Sequence, residues 1–316
     1  MTAPEVESVV SEAVRDGLAA AASAGVKIRE LRELADLDEV YRLYNSIWRP
    51  DPKNPPVTTE LLRALTKAGN YVGGAYDGNT LIGACVGFFG APAEVTMHSH
   101  VAGVSSAARG RNVGFALKLH QRAWALERGV TAISWTFDPL IRRNAYFNLT
   151  KLAARPTEYL TNFYGPMADS INNADDSDRL LVSWQLDADA VQAAARSSVR
   201  SRPTSAVADS GGHASGSAFS TLSGHLAQML REATVLLTSG SDGRPVVGES
   251  AGDGGTVLVG VPADVEGLRG NDPGAAKEWR LVLREVLGGL MADGARVTGF
   301  DRAGWYVVER PGKGLV

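Results

Sequence analysis

Apolar and polar residues follow two rhythms along this chain, and the changes of rhythm lay out a series of short elements. Residues 8–22 have a helical spacing that predicts a short amphipathic or frayed helix, and the pattern becomes organised from residue 27. Alternation over 26–31 predicts a strand. Leu37, Val40, Leu43, Tyr44 and Ile47 then recur at helical spacing within 36–48. Asp51, Pro52, Pro55 and Pro56 break the chain, Thr58 or Thr59 caps a second helix to residue 67, and 68–70 end it. Strands at 71–76, 81–89 and 95–104 follow, parted by Asp77-Gly78-Asn79 and by Gly90 to Pro92, which is the pattern of a meander. A helix over 113–127, closed by Gly129, leads to a strand at 131–137 and makes a strand-helix-strand unit. A shorter helix at 142–153 and a strand at 180–186 complete this part.

Between 193 and 223 the composition turns to Ser, Ala, Gly and Arg with few large apolar residues, as in a linker. Beyond it, 234–238, 256–261, 275–292, 296–300 and 305–308 predict strand, strand, helix, strand, strand. The division is therefore a helical extension (1–26), a mixed α/β domain (27–192), a linker (193–223) and a smaller C-terminal α/β domain (224–316). The order of elements at 101–135 recurs at 257–300. Glu127-Arg128-Gly129-Val130 ends the first helix and Ala292-Asp293-Gly294-Ala295 the second, as in a degenerate duplication or a chance likeness of two such units.

At 316 residues, 44% hydrophobic and 21% charged, the chain is long enough for two cores. A net charge of -3 gives no general attraction to nucleic acid or anionic membrane, and neither is expected as a partner. Cys85, the single cysteine, lies in an apolar run, so it reads as a buried strand thiol with no internal disulfide. No apolar run approaches the roughly twenty residues of a membrane helix, and Glu5, Glu7 and Glu12 stand where a signal peptide would be basic. These features together lead to the expectation of a cytoplasmic protein.

The chemistry is concentrated in Val104-Ser105-Ser106-Ala107-Ala108-Arg109-Gly110-Arg111-Asn112-Val113-Gly114-Phe115-Ala116-Leu117. A loop opening into a helix presents free backbone N–H groups and the positive end of the helix dipole, which suits a pyrophosphate. Small residues such as Gly110 and Gly114 let the phosphates approach those amides. This segment resembles the acetyl-CoA loop of the GNAT superfamily, where a strand valine precedes Arg-Gly-x-Gly-x-Gly and a helix. Asn112 stands at the first of those later glycines and tolerates a left-handed backbone better than other side chains do. A second register, Arg111-x-x-Gly114-x-Ala116, also fits the family pattern. The resemblance spans 27–187. It implies the GNAT fold, acetyl-CoA or another acyl-CoA as co-substrate, and coenzyme contacts from Val104, Arg109, Gly110, Arg111, Asn112, Val113, Gly114 and Phe115. It adds Asn144, which opens a segment similar to the family's Asn-x-x-Ala-x-x-Leu-Tyr-x-x-Leu-Gly-Phe. With Leu152 at the motif's second leucine, Leu149 replaces the tyrosine that many members use as general acid, so Tyr159 and Tyr164, the nearest phenols, become the candidates. Arg142 and Arg143 face either the coenzyme's phosphates or solvent.

An amine must lose a proton to attack a thioester, so a base is required. Many members place a glutamate eleven residues before the motif. The two registers put His98 or His100 there, on one face of a strand. His-x-His on a strand is also half of a zinc site, with His120 or Glu94 as the remaining choices, but neither spacing recommends a metal. Trp124, Trp135, Trp184 and Trp279 fall at core positions.

The resemblance thus implies an N-acyltransferase that moves an acetyl or other short acyl group to a primary amine of a small molecule by direct attack. N-succinyl transfer to amino acids and non-catalytic acyl-CoA binding are the alternatives. The C-terminal part is similar to the second half of a two-part GNAT subgroup. Asp264, Glu266 and Asp272 would repel a second coenzyme there, so that part is expected to shape the acceptor pocket or to make a homo-oligomer contact.

Overall fold

The computed structural model describes residues 3–50, 55–91, 95–165, 176–200, 233–249 and 255–311. Its first unit holds α1 (Ala3–Ala24), β1 (Lys27–Glu30), α2 (Leu34–Trp48), α3 (Thr59–Lys67), β2 (Tyr71–Asp77), β3 (Thr80–Phe89), β4 (Thr96–Val104) and α4 (Val113–Leu126). It continues with β5 (Ala132–Phe137), α5 (Arg142–Ala145) running into a π-type turn (Tyr146–Lys151), β6 (Arg155–Leu160), β7 (Arg179–Gln185) and α6 (Asp189–Arg200). The strands form one sheet in the order β1-β2-β3-β4-β5-β7-β6. Leu37, Val40, Tyr44 and Leu62 from α2 and α3 cover one face against Val72 and Val86. Leu117 and Trp124 of α4 cover the other, against Tyr71, Met97, Trp135 and Trp184.

α1 is not frayed. It lies along the outer side of α4, close enough that a Cβ on Gly17 would stand 3.4 Å from the Leu119 carbonyl oxygen. Arg122 is fully buried between them, donating to the Leu186 carbonyl at 2.8 Å, with Asp16 of α1 at 3.5 Å. Covered on both sides, α4 is buried nearly all round.

β4 and β5 run parallel but pair over only three positions, ending at His98↔Ser134. A bulge helps to turn β4 away. Val86 faces Val101 and Gly87 faces Ser99, which leaves His100 as the extra residue. Ser99 and Trp135 are the first residues past the last pair, and the ammonium of Lys118 sits beneath both. Its Nζ donates to Ser99 Oγ (3.1 Å) and Gln121 Oε1 (2.8 Å) and lies 3.7 Å from the Trp135 ring centroid. Burial pushes this lysine down to about 8.

The second unit holds β8 (Thr234–Ser239), β9 (Pro245–Val247), β10 (Thr256–Gly260), α7 (Val265–Asn271), α8 (Pro273–Leu283), a π-type turn (Arg284–Gly288), α9 (Gly289–Ala292), β11 (Arg296–Asp301) and β12 (Trp305–Glu309). Its sheet has the order β11-β12-β10-β8-β9. β12 intervenes between β10 and β11, whereas β4 and β5 are neighbours, so the repeated order of elements does not extend to repeated pairing. β6, β9 and α7 lie outside the sequence expectations. β6 is an edge strand whose Pro156 and polar residues hide its alternation. Helix α6 continues through Arg200, past the expected linker start at 193, and residues 201–223 lie outside the described residues.

The two units share one apolar cluster, in which Leu237, Trp279, Phe300 and Tyr306 join Trp135 and Trp184. At its edge Asp138, the residue after β5, is buried between two arginines of the second unit. Arg280 binds it through both Nη atoms (2.8 and 2.9 Å), and Arg269 adds a contact at 2.6 Å. Burial alone would raise this carboxyl, but Arg280 and Arg269 hold it well below the usual carboxylate range. Tyr306 Oη donates to the Pro139 carbonyl at 2.7 Å, and Arg284 binds Asp178 and Asp176.

Removing one partner of a buried ion pair typically costs about 3–5 kcal/mol, so Arg280→Met should destabilise both units by about 3 kcal/mol in a single denaturant transition. A midpoint close to wild type would show that the contact is dispensable. For Lys118, the lowered folded value means that stability is gained as pH rises from about 8 towards 10.5, where an exposed lysine titrates. Denaturation at pH 7.5 and 10 should show the wild type gaining about 2 kcal/mol relative to Lys118→Met, and equal slopes for the two proteins would contradict the burial of a charged ammonium.

Candidate active site

The loop between β4 and α4 turns back on itself through local bonds. Ala108 N donates to Ser105 O (3.1 Å), Arg109 N to Ser106 O (3.2 Å) and Arg111 N to Ala108 O (3.4 Å). Gly110 has φ +80 and Asn112 φ +60, so the asparagine does take the left-handed backbone that its position demands. The first intrahelical bond runs from Ala116 N to Asn112 O (3.1 Å). The amides of Val113, Gly114 and Phe115 therefore head the helix without a carbonyl four residues back, and the helix dipole adds partial positive charge there. A Cβ on Gly110 would meet nothing within 4 Å, and one on Gly114 would meet only Val104 Cγ2 at 3.7 Å. The cradle is open, and its donors fit a pyrophosphate.

Arg111 contributes backbone here, but its side chain is committed elsewhere. The guanidinium donates to the carbonyls of Ala24 (3.2 Å) and Gly25 (3.1 Å) at the end of α1 and to Asp77 (2.6 Å). Arg109 is exposed beside it. Asn144 stands in α5, and Lys151, at the end of the π-type turn, reaches back to Asn112 Oδ1 at 2.8 Å. Ala153 has φ +55 four residues after Leu149, where the family has glycine four residues after its tyrosine.

On the opposite face from α4, the parting strands present hydroxyls and imidazoles. His98 Nδ1 lies 3.3 Å from Ser134 Oγ, and the Tyr164 hydroxyl lies 3.2 Å from Thr136 Oγ1, two residues further along β5. The His98 and His100 rings are 6.4 Å apart, and both flank Phe88. Burial, His100 and Lys118 push His98 down to about 4, and burial lowers His100 against a hydrogen bond to the Pro56 carbonyl. Both imidazoles are neutral at pH 7.

Tyr159 leaves the site. Its hydroxyl donates to Asp178 Oδ2 at 2.9 Å, its ring packs on Gly288, and burial with the Asp178 carboxylate raises its pKa strongly. Of the two residues considered as a third zinc ligand, one is engaged elsewhere. His120 bonds Tyr71 across the other face of the sheet (2.9 Å), and Glu94 lies outside the described residues. Among the described residues no group of three or more His, Cys, Asp or Glu side chains could hold a metal ion. No helix among them is long and apolar enough to cross a membrane.

Arg142 and Arg143 turn to the second unit, Arg142 to the Val261 carbonyl (2.9 Å) and Arg143 to Glu266. The sequence expectations omit Ser134, Thr136, Lys118 and Lys151. The one available signal was Lys118, a charge inside the apolar run of α4.

Residues 37–147 match the model of the Acetyltransferase (GNAT) family. No curated protein matches the chain. Similar solved structures include an N-acetyltransferase from Staphylococcus aureus Mu50, with 15% identity, a TM-score of 0.41 and coverage of 51% of this chain and 98% of that one. The ribosomal-protein-S18-alanine N-acetyltransferase from Escherichia coli has 12% identity, a TM-score of 0.41 and coverage of 51% and 94%. The yncA protein from Salmonella typhimurium, solved with acetyl-CoA, has 17% identity, a TM-score of 0.40 and coverage of 51% and 94%. The family assignment rests on the sequence match. Residues 37–147 are matched to an acetyltransferase domain of the GNAT family, in which acyl transfer from acetyl-CoA is general.

Proposed function

We propose that this protein transfers an acetyl group from acetyl-CoA to a primary amine of a small molecule by direct attack. The observation that carries the reading is the parting of β4 and β5 immediately after His98↔Ser134, with the helix-heading amides of α4 at one side and His98, Ser134, Thr136 and Tyr164 at the other. The amides of Val113, Gly114 and Phe115 would hold the pyrophosphate, with Gly110 and Asn112 shaping the turn, Arg109 and Arg111 flanking it, and Asn144 on the facing wall. The β4 backbone near Val104 would donate to the thioester carbonyl, where negative charge develops. His98, or His100 beside it, accepts the proton of the attacking nitrogen. Tyr164 donates its phenolic proton to the departing sulfur; its phenolate then takes up a proton from solvent while the imidazolium releases one to solvent, which resets both groups. The aromatic enclosure of that face, with Phe88 on the histidines and Trp48 over Gly103, supports a small acceptor.

Neutral imidazoles alter the expected pH profile. A free histidine would give a rate limb near neutrality, whereas His98 should give one near pH 4, with rate rising as pH passes it. His98→Ala should lower kcat about 10²-fold with little change in acetyl-CoA affinity. Wild-type turnover in His98→Ala, His100→Ala and the double variant would remove both histidines from the reaction.

Gly114→Glu has room for its Cβ but sets a carboxylate among the helix-heading amides. Calorimetry should show acetyl-CoA binding weakened by about 100-fold or more in a folded variant. Unchanged affinity would place the coenzyme elsewhere. Thioester cleavage with small amines and with a peptide amine, each using acetyl-CoA and succinyl-CoA, decides the acceptor and the acyl group; a preference for the peptide would overturn the small-molecule reading.

A further inference from the structure

A cavity of about 320 Å³ opens between α5 and the second unit, with Arg142, Tyr146 and Arg302 on its walls. Arg302 stands in the β11–β12 turn, which is fixed by Ala303 N donating to Asp301 Oδ1 (2.7 Å), and its guanidinium carbon lies 5.1 Å from the Tyr146 ring centroid. Further along the same helical segment, Lys151 reaches the Asn112 cap of α4, 5.6 Å from the Phe115 ring centroid. Burial and the nearby charge of Arg302 lower the lysine's affinity for its proton.

The neighbouring acids are already engaged. Glu266 is held by Arg143, Asp264 accepts from Gly267 N (2.9 Å), and Asp301 accepts from its own turn. Arg142 spends Nη2 on the Val261 carbonyl, and its buried Nε has no hydrogen-bond partner. Among the described residues no carboxylate forms an ion pair with Arg302 or Lys151. One cation from each unit thus stands along the segment from Tyr146 to Lys151, where the charge of Arg302 disfavours that of Lys151, beside the helix end proposed for the pyrophosphate. An anion with two negative charges would relieve that cost.

We propose that Arg302 and Lys151 bind the ribose 3′-phosphate of coenzyme A, with the adenosine lying towards the cavity beside Tyr146. This rests on the acyl-CoA reading of the α4 loop and deepens it, because the second unit then supplies part of the coenzyme site. A phosphate monoester carries about −1.5 to −2 charge at pH 7 and is matched by a guanidinium and an ammonium together. Coenzyme A has this group, and its 3′-dephospho form differs by its loss alone.

The test is calorimetric titration of the full chain with acetyl-CoA and with 3′-dephospho-acetyl-CoA. The wild type should prefer acetyl-CoA by about tenfold or more. Arg302→Gln, a change at an exposed turn, should lose about tenfold in acetyl-CoA affinity, keep its affinity for the dephospho form, and raise KM while leaving kcat unchanged. Lys151→Gln should behave in the same way. Equal binding of the two ligands by the wild type overturns the inference while leaving the acyl-CoA site intact. So does an equal loss for both ligands in Arg302→Gln, which would assign the arginine to the pyrophosphate. Failure of the wild type to bind either ligand would overturn the acyl-CoA reading itself.

Discussion

Asp138 carries the constraint on which the relation of the two units depends. A carboxylate withdrawn from water at the end of β5 cannot stay ionised by itself, and the groups that keep it so, Arg269 and Arg280, belong to the second unit. The attachment falls on the segment that leads from β5 into α5. Pro139, Arg142 and Arg143 of that segment are each bonded to the second unit as well, through Tyr306, Val261 and Glu266. The short helix that carries Asn144, placed above on the wall of the proposed coenzyme groove, is therefore held by residues outside the stretch matched to the family.

The groove itself follows from a local conflict in β4. Parallel pairing with β5 needs an unbroken ladder, and the extra residue His100 breaks the register of β4 against β3 just where that ladder ends. The resulting gap would open onto the core on the α4 side. Lys118 closes it, with its ammonium on Ser99, Gln121 and the face of Trp135. A leucine there would fill space but leave Ser99 and Gln121 without that partner.

Much of this order was legible in the sequence because it is local. The helix and strand periods locate α2, α3, β2 to β5 and α4 to within a few residues, and the glycines mark the turn between β4 and α4. What was not legible depends on distance along the chain. Asp138 and Arg280 are 142 positions apart and nothing in either neighbourhood announces the other. The same reason made Tyr159 and Tyr164 equivalent phenols in sequence, although one is locked to Asp178 and the other reaches Thr136. α1 reads in the sequence only as a short amphipathic or frayed helix because its partner, α4, lies nearly a hundred residues later, about one domain length away.

The electrostatics of the parting strands bear on how an amine could react there. Two cations lie near the apex, Lys118 beneath it and Arg179 at 5.3 Å from the ring centroid of Tyr164. The lysine's charge is one of the causes that lower His98, after burial and His100. An ammonium entering the same space meets the same field and the same desolvation, so its own pKa falls for the same reasons. Such surroundings would weaken the proposed base and an acidic substrate together, and the difference between them, which sets the ease of proton transfer, would change less than either value alone. The base proposed above, a neutral histidine with a lowered pKa, could then accept the proton because the amine is made a stronger acid by the surroundings that make the imidazole a weaker base.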